Sequence, residues 1–364
     1  MHYKVDCLFY IYMALTTRPK GLANLGNTCF LNTELQCLSA TGFVGIMKPD
    51  PPNDTPHRQI YNALKRTLIV MGSPESRSVL SPETMVMVVR RNAKALGRPD
   101  FAGWDQNDVA EFHTMLGDCI HEATRSEAKV KVTMADKTQM TPVDQKCLKR
   151  LTEYISNEHS VAARTMAGIE ASVVTTPSDM YLSTKAECFY VLVVPVPIKQ
   201  PSFRNPHASL TPITVAECVT EFGAKSLMVG ENQYEMPEGF PNVGEHVDAI
   251  QKHLVWLAPQ ILVIETRLYR LTPQGELRKG YERLVASPVL ELPIWSAGEH
   301  KKVKYTLCGV AYHRGGNRMG GHYTAVIKTK DGTLYNCNDT SVSPLVQGAR
   351  WPDGGYCFFY RKIM

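Results

Sequence analysis

The sequence contains no CxxC pair. Its ten cysteines stand at 7, 29, 37, 119, 147, 188, 218, 308, 337 and 357, and no two neighbours are closer than eight positions. That spacing argues against a zinc ribbon, a thioredoxin-type redox pair and an iron–sulfur cluster. Basic runs of five or six residues are missing as well. The 40 Lys and Arg against 35 Asp and Glu leave +5 spread over the whole length, so nucleic acid is a poor partner. Long apolar runs are lacking too. The one imitation of a targeting signal, Cys7 to Leu15, has nine residues, whereas a membrane span needs about 20. Asp6 before it and the want of a small-x-small cleavage site argue against secretion. A packed N-terminal strand or helix is the plainer expectation, and a true start at Met13 would remove the segment altogether. There is no internal repeat and no low-complexity tract.

What is present is ordinary globular material. The 364 residues, 44% apolar and 21% charged, suffice for one large domain or about two smaller ones and exclude wholesale disorder. Ten thiols without a convincing export signal read as reduced cysteines of an intracellular protein, cytoplasmic or nuclear, most of them small buried apolar groups.

Helical patterns dominate the first half. A turn at Gly26-Asn27-Thr28 opens onto Phe30, Leu31, Leu35 and Leu38, which places Cys29 at a helix N-terminus. A proline-rich loop from Lys48 to Pro56 precedes a helix through Ile60, Leu64 and Leu68. Ser81-Pro82-Glu83 starts another, with Ser81 as cap. From Asp105 to Glu122, the stripe Val109, Phe112, Leu116, Cys119 and Ile120 predicts an amphipathic helix with Asp105 as cap. Residues 123 to 184 are polar and weakly periodic. From about residue 185 strand-like runs take over, among them CFYVLVVPVPI, VKYTLCGVAYH, HYTAVIKT, GTLYNCND and YCFFYRK. Helices first and strands later argue for an α+β fold on a largely antiparallel sheet.

The chemistry-bearing residues are far apart in sequence. A thiol at a helix N-terminus is favoured as thiolate, and Cys29 has that setting. His322, after Gly320-Gly321 and opening a strand, is the best base. A hairpin turn at Asp331-Gly332 would return Asn338 and Asp339 beside it, where a side-chain oxygen could fix the imidazole tautomer. His313 reads as a structural histidine.

Gly21 to Asn32 (GLANLGNTCFLN) resembles the cysteine box of the ubiquitin-specific protease family. Gly320-Gly321-His322-Tyr323-Thr324-Ala325 is similar to its histidine box, preceded by Cys308 to His313 and followed by Asn338-Asp339-Thr340-Ser341-Val342. Gln106 to Phe112 is similar to its glutamine-acid helix, and Leu257 to Ile264 to its central strand. The resemblance runs from about Lys20 to Lys362. It implies a papain-like cysteine peptidase with thumb, palm and fingers, in which residues 1–19 form an N-terminal extension and 20–362 the catalytic domain. The helical thumb would span about 20–170, with palm and fingers at about 171–362. It also implies Cys29 as nucleophile, His322 as base, Asn338 as orienting residue and Asn24 as oxyanion donor. Asp339 would support the region or replace Asn338. Asp108 and Glu111 would meet an Arg-containing substrate tail. Ubiquitin, polyubiquitin and ubiquitinated proteins are the implied partners, with neither nucleic acid nor membrane. Deubiquitination is the implied activity; a weakly active ubiquitin-binding scaffold and a peptidase for another ubiquitin-like modifier are the alternatives.

The sequence departs from the family pattern in three places. Many relatives hold a structural zinc at the fingertips with two CxxC pairs, but here neither Glu231 to Gly239 nor the stretch from Val173 to Cys188 carries such a pair. No metal and no cofactor are expected, and sheet bonding and packing must hold the fingers. Glu265 to Arg270 replaces a more basic and aromatic segment. His113 stands where the family prefers an apolar side chain, so a partly exposed or misfit residue is expected there.

Overall fold

The computed structural model describes residues 18–74, 77–127, 140–155, 158–198, 211–271, 277–280, 283–296, 298–317 and 320–363. Cys7 to Leu15 and Met13 lie outside them. Helix α1 (Cys29–Ala40) is buried along its whole circumference, the mark of a helix threaded through a core. Helix α2 (Pro56–Gly72) begins where Thr55 accepts the N–H of Arg58 and Pro56 fills the first turn, and it buries Ile60, Leu64 and Leu68 as the spacing predicts. Helix α3 (Glu83–Ala93) starts one residue after the expected cap: Pro82 occupies the cap position and no side-chain cap bond forms. Helix α4 (Val109–Thr124) is capped by Asp108 and not by Asp105. The Asp108 Oδ1 accepts from the N–H groups of Ala110 at 2.8 Å and Glu111 at 3.2 Å. Helices α5 (Pro142–Ile155) and α6 (Val161–Thr165) lie in the stretch whose pattern was uninformative. Helix α7 (Val215–Phe222) opens on a capping box of Thr214 and Glu217.

Twelve strands form one sheet: β1 (Gly168–Thr175), β2 (Tyr181–Phe189), β3 (Val191–Pro195), β4 (Ser226–Met228), β5 (Ala249–Leu257), β6 (Ile261–Arg267), β7 (Val289–Ser296), β8 (Glu299–Asn317), β9 (Gly320–Lys328), β10 (Leu334–Asn338), β11 (Ser341–Pro344) and β12 (Cys357–Lys362). The path runs β11-β10-β9-β8-β7-β5-β1-β2, with β4 on β5; β12 joins β8 to β6, and β6 joins β3. All pairings are antiparallel except β5 with β7 and β6 with β3. The α+β architecture with a mainly antiparallel sheet is therefore as expected.

Helix α1 lies between β8 and β9 on one side and α2 and α4 on the other. The main core joins all of these through Leu31, Leu35, Phe112, Leu116, Val310 and Phe358. A second core packs α5 onto β1 and β5 through Val143, Cys147, Leu151, Ile169, Val173 and Trp256, and the Trp256 Nε1 donates to Asp144 Oδ1 at 2.8 Å. A third, small cluster closes the far end of the sheet: Val174, Leu182, Met236 and Ala249, flanked by Met228, Tyr234, Phe240 and Val247. Among the described residues, the nine cysteines are free thiols, and no helix is long and apolar enough to cross a membrane.

His113 corrects the expectation of partial exposure or misfit. It is wholly buried, and its Nδ1 lies 2.8 Å from the Oε1 of an equally buried Glu34. The imidazole is accommodated there because a side chain of α1, Glu34, meets it in the core.

Candidate active site

Two loops and two strand ends converge on Cys29, the first residue of α1. The loop before it is tightly wound: Gly26 and Asn27 both have left-handed backbone, with φ of 87° and 52°. Its turns are closed by Leu25 N–H donating to Thr28 Oγ1 at 2.9 Å and Thr28 N–H donating to Asn24 Oδ1 at 3.2 Å. Cys29 is 2% exposed, and its sulfur accepts from the Tyr323 N–H at 3.5 Å. That single contact, across a separation of 294 residues, brings the Cys29 thiol to the residue after His322. Burial pushes the Cys29 thiol above its ordinary value. The Tyr323 N–H pulls it down, the Asp339 charge pushes it up again, and the N–H groups of Phe30 and Cys29 pull it down a little. The helix N-terminus alone therefore leaves a thiol and not a thiolate, contrary to what its position in the sequence suggests.

His322 is the third residue of β9, which begins at Gly320 and not at the histidine, and its Nε2 lies 2.7 Å from Asn338 Oδ1. An amide oxygen can only accept, so Nε2 carries the proton and Nδ1 is the basic nitrogen. The hairpin accounts for this meeting. Gly332, at φ 89°, turns the chain; Lys328 pairs with Leu334 and Ala325 with Cys337, and the same register carries Asn338 to the face of β9 that bears His322. Gly321 precedes the histidine because a Cβ there would run into the His313 ring and the Arg314 carbonyl. His313 itself is 4% exposed and packs against Tyr323 with ring centroids 4.6 Å apart.

Strand β10 ends at Asn338, and Asp339 turns into left-handed backbone at φ 49°. The two neighbours thus aim at different targets. Asp339 Oδ2 accepts from Asn24 Nδ2 at 2.9 Å and Oδ1 from Asn32 Nδ2 at 2.8 Å, while its carbonyl takes the Leu22 N–H at 2.8 Å. Asn24 is exposed and is anchored through one amide proton, donated to Asp339. Asn32 was inside the quoted cysteine motif, yet only the folded chain gives it a purpose.

Asp108 is 5% exposed. Besides capping α4, it lies 3.2 Å from the Tyr323 hydroxyl and 2.7 Å from that of Tyr356, which ties the N-terminus of α4 to the strands beneath the site. Glu111, one turn on, has a side chain 46% exposed and faces Arg98 at 3.5 Å. Gln106 donates to the Gly321 carbonyl. No signal in the chain marks the Tyr356 contact, because tyrosine at a strand start carries no pattern of its own. Among the described residues no cluster of three or more His, Cys, Asp or Glu could hold a metal.

The profile of the ubiquitin carboxyl-terminal hydrolase family matches residues 20–360. The chain is 26% identical over 354 residues to ubiquitin carboxyl-terminal hydrolase 2 of Bos taurus, covering 93% of this chain and 54% of that protein. It is 24% identical over 384 residues to ubiquitin carboxyl-terminal hydrolase 21 of Rattus norvegicus, covering 99% and 64%. It thus spans about half to two-thirds of the length of these relatives. Among solved structures, the SAGA DUB module of Ubp8, Sgf11, Sus1 and Sgf73 bound to monoubiquitin contains a similar fold, with TM-score 0.66 and 19% identity over 95% of this chain and 69% of that one. With a match along nearly its whole length, the chain belongs to the ubiquitin carboxyl-terminal hydrolase family.

Proposed function

We propose that this chain is a deubiquitinating cysteine peptidase that cleaves the bond after the C-terminal glycine of ubiquitin, isopeptide or linear. The observation that carries the reading is the junction itself: the N–H that follows His322 rests on the Cys29 sulfur, while the far side of the His322 ring is held by Asn338. His322 Nδ1 takes the thiol proton, and the imidazolium so formed offsets the burial that raises the Cys29 thiol. The thiolate attacks the glycine carbonyl carbon. Negative charge then collects on the carbonyl oxygen, where the free amide proton of Asn24 and the Cys29 N–H stabilise it. As the C–N bond breaks, His322 returns its proton to the leaving amine, and the glycine is left as a thioester. Water, deprotonated by His322, then releases the carboxylate and the thiol. Asn suffices as orienting partner because the ion pair lies between thiolate and imidazolium, and a neutral amide oxygen fixes the ring.

The thumb is assigned to about 20–170, the palm and fingers to about 171–362, and the substrate tail to the cleft between them. Glu111 offers a surface carboxylate to an arginine of that tail. Asp108, lower in the wall and already engaged by two tyrosines, meets the tail from beneath. Free thiols among the described residues suit the cytoplasm or nucleus.

The test is covalent labelling with ubiquitin carrying a C-terminal electrophile, run beside matched probes of other ubiquitin-like modifiers. One adduct on Cys29, lost in Cys29→Ala, is expected. An adduct on the fully buried Cys37 or one surviving in the mutant would refute the nucleophile, and labelling only by another modifier's probe would refute the substrate.

A further inference from the structure

Trp104 lies in the loop ahead of α4, with 66% of its surface exposed, yet it is fixed from several directions. The Arg90 guanidinium of α3 sits over the indole, 3.5 Å from a ring centroid, and donates Nη2 to the Gly26 carbonyl at 3.0 Å. Asn27 Nδ2 donates to the Trp104 carbonyl at 2.9 Å. Gly26 lies directly against the ring, where a Cβ would come within 2.9 Å of Trp104 Cε3. Each of these contacts grips the left-handed loop between Asn24 and Cys29. Two residues after Trp104, Gln106 donates to the carbonyl of Gly321, the residue before His322. The stretch 104–106 is therefore fastened at one end to the loop that carries the thiol and at the other to the strand that carries the imidazole.

We propose that Trp104, seated by Arg90, is a positioning residue: with Gln106 it forms a strut that sets the separation of Cys29 from His322 and holds the Asn24 loop in register. The proposal rests on the catalytic roles assigned above. A tryptophan suits this role because its broad rigid face covers the bare Gly26 backbone with only two torsions to freeze. Arginine suits its place because one planar group can both stack on the ring and donate to a carbonyl. Without the indole, Gly26 and Asn27 lose the surface that selects their left-handed backbone, and the loop relaxes away from the cleft.

The test pairs turnover with a measurement that needs no ubiquitin. In hydrolysis of a fluorogenic ubiquitin C-terminal amide, Trp104→Ala should lower kcat by about tenfold to a hundredfold, the scale of an ångström-sized misplacement. KM should stay within about twofold, and Trp104→Phe should restore most of kcat. In parallel, the pH profile of Cys29 alkylation by iodoacetamide, assigned to that thiol with Cys29→Ala, should move to higher pH in Trp104→Ala as the imidazole partner is lost. Arg90→Met, which keeps the packing but removes the bond to Gly26, should move it the same way by less. A raised KM at unchanged kcat would make Trp104 a substrate contact and overturn the strut, as would an unshifted alkylation profile. Should the wild type fail to hydrolyse ubiquitin, the deubiquitinase reading falls, while the alkylation profile still decides the strut.

Discussion

The junction around Cys29 and the far end of the sheet around Met236 are built on different principles. At the junction, position is set by hydrogen bonds between residues that only folding brings together: Tyr323 with Cys29 and Asp339 with Asn24 and Asn32 from opposite ends of the chain, and His322 with Asn338 across a hairpin. Such bonds are directional and tolerate little displacement. At the far end, where many relatives are expected to carry a zinc site, Val174, Leu182, Met236 and Ala249 make a small apolar cluster. Tyr234 adds a bond to Ser183 at 2.7 Å and Gln233 one to Asp248 at 2.8 Å. Apolar packing fixes shape through volume and accepts substitutions that keep volume. Position is thus held by polar precision in one place and by a filled volume in the other.

The sharpest way to probe the contrast is at the junction. Asn338→Ala should lower turnover by about 10² to 10⁴ while ubiquitin affinity stays near wild type, because the loss falls on the orientation of the His322 ring. Asp339→Ala should cost less, since that carboxylate accepts from Asn24 and Asn32 and not from the His322 ring. Steady-state kinetics on both variants checks the order; a silent Asn338→Ala beside a crippling Asp339→Ala would make Asp339 the orienting residue.

Beneath the junction, His113→Leu leaves the Glu34 carboxylate buried without its partner and should cost about 3–5 kcal/mol of stability. Replacing both, Glu34→Leu with His113→Phe, should restore most of it. Urea unfolding of the two variants measures this, and a cost below about 1 kcal/mol for the single change would show that water reaches the pair.

At the far end, Met236→Ala should cost about 2 kcal/mol, the low end for a core methionine because the cluster is small. Its signature should be local: faster amide exchange in β4 and β5 and a raised KM, with kcat unchanged. A fall in kcat instead would mean that the two regions are coupled. Smallest of all is the effect of metal removal. A chelator should leave the thermal midpoint where it was, and bound zinc near one equivalent, lost together with stability, would place ligands outside the described residues.

Much of the site was legible because its residues sit in short contiguous motifs. Gly26, Asn27 and Gly332 announce turns by composition, and all three do adopt positive φ. The helix after Thr28 and the hairpin between His322 and Asn338 followed from apolar spacing and a turn dipeptide. Local signals failed where two candidates stood close together. Asp105 and Asp108 are equally good caps by residue type, and only the contacts with Tyr323 and Tyr356 select the second. His113 was misjudged because its partner, Glu34, is 79 positions away.

The sequence by itself determined the order of helices and strands, the place of Cys29 at a helix start and the family of the chain, since periodicity, turn residues and motif wording are properties of neighbouring positions. The tertiary structure alone decided which oxygen faces His322. Asn338 and Asp339 are adjacent in the chain, but β10 ends between them, and the left-handed turn at Asp339 sends one side chain to the imidazole and the other to Asn24 and Asn32. It also decided the state of the thiol. The first N–H groups of α1 pull the Cys29 thiol down, whereas burial acts through the removal of water and pushes it up by more.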